Sequence, residues 1–283
     1  MSASLAFSFL APAKLNISLR VFGRRPDGFH HIRSVMVPVS LYDEVTVEES
    51  SAGISVEMDD PAVPEDERNS CHRATALYRD WAGAPGGVCV RVRKTIPVEA
   101  GLGGGSSDAA ATLKGLIALT GKTPPAETLL SLAAAVGADV PFFTLGRPAF
   151  VEGFGELLTP VEWRVPFFAV IVMPPFGLST REGYDRLGRG PADPPGRVAP
   201  PVFREWGDLV SAVENDFESA WEHDRPDIRE IKGELRDAGA DATGLSGSGP
   251  AVFGLFRSEK DARRAKRALG NGKGRRLFVA RNI

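Results

Sequence analysis

The sequence predicts an α+β protein of one large domain or two. Three observations carry this. The chain has 283 residues, which at roughly 100–200 residues per domain fits one large domain or two ordinary ones. Short strand-like and helix-like patterns follow one another along its whole length, with no internal repeat. The composition is globular, 43% hydrophobic and 25% charged, so the chain can bury a core instead of staying disordered.

The elements can be justified in order. Leu15, Ile17, Leu19 and Val21 alternate with Asn16, Ser18 and Arg20. That period of two predicts a strand with one buried face, which leaves Lys14, Asn16, Ser18 and Arg20 on the other. Arg24, Arg25, Pro26, Asp27 and Gly28 follow as a solvated turn. Residues 35–39 and 45–47 read as two short strands, residues 68–81 as a helix ended by Gly83, and residues 88–92 as a strand. A helix begins after Pro97–Asp108, with Ala109, Leu113, Leu116 and Ile117 on one face. Ser106 or Ser107 is its expected N-cap, and Asp108 suits its first turn. A second helix is expected over residues 125–136, stopping at Gly137. Residues 167–173 are apolar throughout, a buried strand. Residues 188–201 form a loop, because 8 of these 14 are Gly or Pro. Helices are expected at 207–222 and 226–238, a small-residue loop at 244–250 and a strand at 251–256. A helix at 259–269, capped by Ser258, and a strand at 277–280 complete the chain. A domain boundary is expected near residues 155–165.

Composition excludes several functions. The net charge of −2 lacks the broad basic field of a nucleic-acid binder. No apolar run approaches the ~18 residues of a membrane span. Cys71 and Cys89 stand apart without a C-x-x-C spacing, so neither a disulfide framework nor a zinc site is expected and a cytoplasmic location fits. Leu5 to Ala13 has no basic leader and runs straight into a strand pattern, so a signal peptide is not expected. Of the 34 basic residues only 8 are Lys, which draws attention to any Lys inside a motif.

Four segments can carry chemistry. Gly101, Gly103, Gly104 and Gly105 stand directly before a helix start. Glycines let a backbone approach a ligand, and unpaired helix N–H groups attract a phosphate; taken alone, the run could equally be a flexible connection. It is neither a Walker A loop nor a dinucleotide fingerprint. Asp139 is a carboxylate just past a helix end in apolar company, beside Val140, Pro141 and two Phe residues. It has either a task or a turn to form. Lys14 follows Ala11-Pro12-Ala13 and by itself could be an edge charge. His30 follows Asp27-Gly28-Phe29; a donor–acceptor ring beside an aromatic suits a base edge, or simply bonds within a turn.

Together the segments resemble one family. Pro12-Ala13-Lys14-Leu15-Asn16, the run from Pro97 to Ser107 and the loop from Gly244 to Gly249 look like the three motifs of the GHMP kinases, in order and across nearly the whole chain. Asp27-Gly28-Phe29-His30 and the stretch from Gly137 to Phe143 are most similar to the branch that phosphorylates a cytidine-diphosphate-linked methylerythritol on its 2-hydroxyl, a step toward isoprenoid precursors. The resemblance implies an N-terminal domain, residues 1–160, like domain 2 of ribosomal protein S5, and a C-terminal ferredoxin-like domain, residues 161–283. Substrate and ATP would lie in the cleft between them. It implies Asp139 as catalytic base and Lys14 as its partner. Pro97, Glu99, Ala100, Gly101, Leu102, Gly103, Gly104, Gly105, Ser106 and Ser107 would form the ATP phosphate loop, with Asn69 toward the adenine. Asn16, Phe29, His30, Lys94, Asp139, Thr180 and Tyr184 would meet the substrate: Phe29 and Tyr184 on the cytosine faces, His30 on its edge. Phe29 stands where the family usually has Tyr. Mg²⁺ would be held mainly by the phosphates, with Ser106 or Ser107 as a candidate protein ligand. The implied partner is a small molecule, with no nucleic acid or membrane, for a monomer or weak homodimer. A mevalonate- or homoserine-type kinase is the alternative, and the Asp27–His30 segment argues against it because those substrates carry no base. Loss of catalysis to a binding module, or a purely structural role, would leave Lys14, Asp139 and two glycine-rich loops without a purpose.

Overall fold

The structure is a computed structural model, and it describes residues 5–51, 53–84, 86–221, 223–270 and 272–283. The chain forms two compact units. The first comprises the chain up to Ala13, Tyr42–Val98 and Gly103–Gly146; the second comprises Lys14–Leu41, Glu99–Leu102 and Arg147–Ile283. Two long strands, β1 (Ala6–Arg24) and β2 (His30–Ser50), contribute residues to both.

In the first unit, β3 (Ile54–Met58) runs parallel to β4 (Gly87–Arg93), and β4 runs antiparallel to the end of β2, with Val45 opposite Val92 and Val47 opposite Val90. Four helices follow: α1 (Ser70–Ala82), α2 (Gly104–Thr120), α3 (Ala126–Val136) and α4 (Val140–Leu145). α1 packs along α2. The consecutive small residues Ala109, Ala110 and Ala111 keep α2 narrow, and all three are buried. Gly115 lets α2 approach β2 closely, since a Cβ there would stand 2.4 Å from Val47 Cγ2. The wholly buried Leu113 and Leu116 of the same helix each contribute roughly 1.5–3 kcal/mol of apolar burial.

In the second unit, β5 (Ala149–Glu152) pairs with β2 and with β6 (Leu157–Pro160). A separate antiparallel sheet has the order β11 (Arg276–Arg281), β7 (Phe168–Met173), β10 (Val252–Phe256), β9 (Ala242–Leu245). α8 (Pro226–Asp237) and α9 (Glu259–Leu269) pack against it through Ile231, Leu235, Ala262 and Ala265. Between β7 and α8 lie α5 (Thr180–Leu187), α6 (Trp206–Ser211), β8 (Glu214–Asn215) and α7 (Phe217–Trp221).

Several expectations need correction. Residues 35–39 and 45–47 belong to one strand, β2. The helix expected at 207–222 is broken into α6 and α7 by β8, which pairs parallel with β1 through Ser18 and Leu19; its last residue, Glu222, lies outside the described residues. The polar face of β1 is not solvated at Lys14 and Asn16, which are 3% and 1% exposed. α2 starts earlier than expected: Gly103, at φ 74°, is its N-cap, and Ser106 and Ser107 lie within its first turn. Gly137 is extended, not left-handed, and Asp139 occupies the N-cap position of α4, the favourable end of a helix dipole for a carboxylate. Asp108 falls past the first turn of α2, where it is buried in an ion pair with Lys94.

Candidate active site

In the second unit, Lys14 and Asn16 are successive inward residues of β1. The Lys14 ammonium donates to Asn16 Oδ1 at 2.5 Å, and the same oxygen accepts the Gly247 amide at 2.9 Å. Asn16 Nδ2 donates to Ser34 Oγ at 2.7 Å, and Ser34 donates to the Ser18 carbonyl at 2.6 Å. Both ends of the Asn16 amide therefore work inside the protein, where they hold Lys14 still. The loop after β9 closes over this pair: Ser246 Oγ donates to the Gly101 carbonyl at 3.0 Å, and Asn215 Nδ2 donates to the Leu245 and Gly247 carbonyls. Residues 99–102 are tied down by their backbones, with Lys14 N on the Leu102 carbonyl and Ala251 N on the Ala100 carbonyl. The Ala100 and Leu102 side chains are buried, so these residues hold the loop in place, while Glu99 is exposed at a strained φ of 53°. Glu99, Gly101, Thr180, Ser248 and Gly249 line one cavity, across which Thr180 Oγ1 and Ser248 Oγ share a hydrogen bond of 2.7 Å.

A second cavity of about 560 Å³ adjoins it at Thr180 and brings together Phe29, His30, Thr180 and Tyr184. That volume is within the ~300–1,000 Å³ of small-molecule sites. Phe29 is 56% exposed and leans on Phe154 at 5.1 Å between ring centroids. Tyr184 packs edge-on against Phe217 and stacks on His30 at 4.9 Å. His30 Nδ1 lies 3.1 Å from the Phe22 carbonyl. A carbonyl can only accept, so Nδ1 carries a proton; in the neutral tautomer with that proton, Nε2 is the acceptor.

In the first unit, α2 begins without a side-chain cap and without an acidic residue in its first turn. Its leading N–H groups, at Gly104, Gly105 and Ser106, lack the acceptors that a helix interior provides, and the dipole adds positive potential there. Ser107 Oγ is buried with no hydrogen-bond partner among the described residues. Lys94 lies beneath this turn. Its ammonium contacts Asp43 at 2.5 Å and Asp108 at 2.6 Å and is 7% exposed, so contact with a substrate would require one of these ion pairs to open. Burial, with Asp43 adding to it, pushes the Asp108 carboxyl up to about 7 against the pull of Lys94. Asn69 caps α1 through Oδ1 and donates to the Pro64 carbonyl. Pro97 is buried. Asp139 is half-buried at the start of α4, and its side chain makes no cap bond there.

Sequence reasoning missed Asp43, Ser34, Asn215 and Phe154. Asp43 also accepts the Thr95 and Ile96 amides, at 2.5 and 2.8 Å. An Asp within an alternating strand was its only signal. Asn215 lay hidden inside the expected helix.

A glycine turn running into an uncapped helix is an arrangement able to bind phosphate, and here it accompanies a buried lysine and a sheet-and-helix C-terminal half. Residues 69–147 match the family described as GHMP kinases N terminal domain, and residues 225–275 match GHMP kinases C terminal. The class is thus the GHMP kinases, enzymes that use ATP as phosphate donor. Among relatives, 4-diphosphocytidyl-2-C-methyl-D-erythritol kinase of Geobacter metallireducens is 41% identical over 92% of this chain and 93% of its own length. The enzyme of that name from Symbiobacterium thermophilum is 42% identical over 86% and 88%. A crystal structure of 4-(cytidine 5'-diphospho)-2C-methyl-D-erythritol kinase superposes with a TM-score of 0.79 at 36% identity, covering 98% of this chain and 99% of that one. Homoserine kinase from Cytophaga hutchinsonii shares the fold, with a TM-score of 0.71 at 19% identity over 99% and 96%. The chain belongs to the 4-diphosphocytidyl-2-C-methyl-D-erythritol kinase family.

Proposed function

We propose that this protein transfers the γ-phosphoryl group of ATP to the 2-hydroxyl of 4-diphosphocytidyl-2-C-methyl-D-erythritol, giving the 2-phosphate and ADP. The observation that carries the reading is the cavity lined by Phe29, His30, Thr180 and Tyr184. Aromatic faces and one ring acceptor suit a pyrimidine base, which mevalonate and homoserine do not have.

Each residue has a role in one displacement. Asp139 accepts the proton of the attacking hydroxyl; a positioned base is typically worth ~10²–10⁴ in rate. The hydroxyl oxygen bonds to the γ-phosphorus as the bond to the β-phosphate oxygen breaks, and ADP leaves. Lys14, fixed by Asn16, places positive charge near the reacting oxygens. The N–H groups opening α2 hold the phosphates, Asn69 marks the adenine side, and Phe29, His30 and Tyr184 hold the cytosine. Among the described residues no group of three or more His, Cys, Asp or Glu could hold a metal ion. A Mg²⁺ would be bound mainly by phosphates and water, with the first-turn hydroxyl of Ser106 or Ser107 as a candidate protein contact. Bound there, it would neutralise charge on the phosphate oxygens.

The enzyme would work in the cytoplasm as a monomer or weak homodimer on a small-molecule substrate, without nucleic acid or membrane. The free, buried Cys71 and Cys89 suit a reducing compartment, and no helix among the described residues is long and apolar enough to cross a membrane. The test is ADP release with the cytidine substrate beside mevalonate and homoserine, for the wild type and Asp139→Asn. Turnover is expected with the cytidine substrate alone and should fall about 100-fold or more in the variant. Near-normal turnover by Asp139→Asn would remove the proposed base, and a preference for mevalonate or homoserine would overturn the substrate.

A further inference from the structure

Three arginines and one loop take no part in the reaction described above. The glycine- and proline-rich connection after α5 is laid along the end of β1. Arg24 N donates to the Gly190 carbonyl at 2.9 Å, and Ala192 N donates back to the Arg24 carbonyl at 3.4 Å. Arg33 Nη2 holds the Gly196 carbonyl at 2.8 Å. The approach depends on Gly23, where a Cβ would stand 2.2 Å from that of Ala192. This strapping sets Arg189 at the base cavity, whose lining also includes Arg24, Arg181 and one carboxylate, Asp185.

The charges there are poorly compensated. The Arg181 side chain, beside Thr180 in the first turn of α5, makes no ion pair or hydrogen bond among the described residues. Among the described residues Arg189 has one ion pair, to Asp216 at 3.6 Å, and its side chain is 49% exposed. Arg24 is partly committed, since its Nε donates to the Gly28 carbonyl at 3.2 Å and shapes the turn that carries Phe29. An aromatic pocket with two available guanidinium groups at its edge matches a flat base joined to a compact anion. Guanidinium forks bind phosphate oxygens in pairs and stay charged at any working pH.

We propose that Arg181 and Arg189 clamp the diphosphate of the pyrimidine nucleotide whose base lies against Phe29, His30 and Tyr184. The proposal rests on the cytidine reading of that cavity and adds the residues that distinguish a diphosphate from a nucleoside. Thr180 links the base cavity to the one containing Gly101 and Ser248, so a diphosphate held beside residue 181 directs the remainder of the substrate toward the phosphate loop.

The experiment is calorimetric titration with cytidine, CMP and CDP at low and moderate salt. It compares the wild type with Arg181→Ala, Arg189→Ala, the double variant and Arg181→Lys. The wild type should bind in the order CDP, CMP, cytidine. Each alanine variant should weaken CDP binding by about tenfold or more, with cytidine unchanged, and the CDP preference should shrink as salt rises. Arg181→Lys should retain part of the affinity. With the whole substrate, KM should rise while kcat at saturation holds. Equal losses for CDP and cytidine, or no loss for either, would overturn the clamp while leaving the base site in place. Failure of cytidine and CDP alike to bind the wild type would overturn the base-site reading itself, and the clamp with it.

Discussion

Asn16 holds the ammonium of Lys14 at 2.5 Å and, with the same carboxamide oxygen, accepts the amide of Gly247 at 2.9 Å. One buried side chain thus fixes both the proposed catalytic lysine and the third glycine loop. Asn16→Ala would leave a buried amide and a buried ammonium short of an acceptor, at a cost of about 1–3 kcal/mol. Displacement of a catalytic group by about 1 Å can reduce turnover ~100-fold. The expected result is a fall in kcat with KM for ATP little changed. Asn16→Asp should not rescue it, because its second oxygen would face Ser34, whose single proton is given to the Ser18 carbonyl. Steady-state kinetics with thermal melts check this; wild-type kcat in Asn16→Ala would show that Lys14 does not depend on this partner.

Gly101, in the loop, and Gly105, in the first turn of α2, should respond differently. Gly101 has φ 76°, and a Cβ there would stand 2.1 Å from the Ser246 carbonyl oxygen. Backbone cannot yield as a flexible side chain can, and a left-handed conformation adds roughly 1–3 kcal/mol of strain for alanine. Gly101→Ala should therefore lower the melting temperature and abolish turnover together. A Cβ on Gly105 meets nothing within 4 Å, and the residue is already helical. Gly105→Ala should melt like the wild type while KM for ATP rises, because the methyl group occupies the space through which phosphate would approach. Equal melting losses in both variants would contradict the contrast.

The contrast between these glycines shows what the sequence made legible. Local signals sufficed for the glycine run, for Lys14 on its strand and for the aromatic–histidine turn, because each is a pattern of neighbouring residues. What escaped depends on distant partners. Asp43 interrupts an apolar alternation, which made β2 read as two strands, yet it is buried because Lys94 and the amides of Thr95 and Ile96, in the segment just past β4, satisfy it. β8 is two residues long, and its Asn215 is defined by the Leu245 and Gly247 carbonyls, some thirty positions on. The serines expected to cap α2 sit inside it because the left-handed Gly103 takes the N-cap position.

His30 should set the choice of base. Its Nδ1 proton is directed at the Phe22 carbonyl; in the neutral ring Nε2 then accepts and favours the amino group of cytosine over the oxo group of uracil at the same ring position. CDP should inhibit the enzyme at least about tenfold more strongly than UDP, since an acceptor facing an acceptor leaves both unpaired. His30→Ala should lose most of that preference by weakening CDP. Competition assays read both effects, and equal inhibition of the wild type by CDP and UDP would exclude this tautomer as the base reader.

Asp108 should make stability depend on pH. Its carboxyl lies 2.6 Å from the Lys94 ammonium, which also serves Asp43, so two buried carboxylates share one cation. Burial raises the Asp108 pKa to about 7, Lys94 opposes the rise and Asp43 adds to it. In the unfolded chain the same group releases its proton near ~3.9. Between these values the folded state binds more protons than the unfolded state, so the Asp108 contribution to stability declines as pH rises, by at most about 1.4 kcal/mol per pH unit. Below about pH 4 both states are protonated and the contribution is flat. Asp108→Asn keeps the shape and an acceptor for Lys94 but cannot ionise. The variant should therefore gain on the wild type steadily from pH 5 to about pH 7 and hold that difference above it, as read by chemical denaturation across the range. Groups that do not touch Asp108 titrate alike in both proteins and cancel from the difference, so a difference that stays constant with pH would show that Asp108 is already ionised when folded.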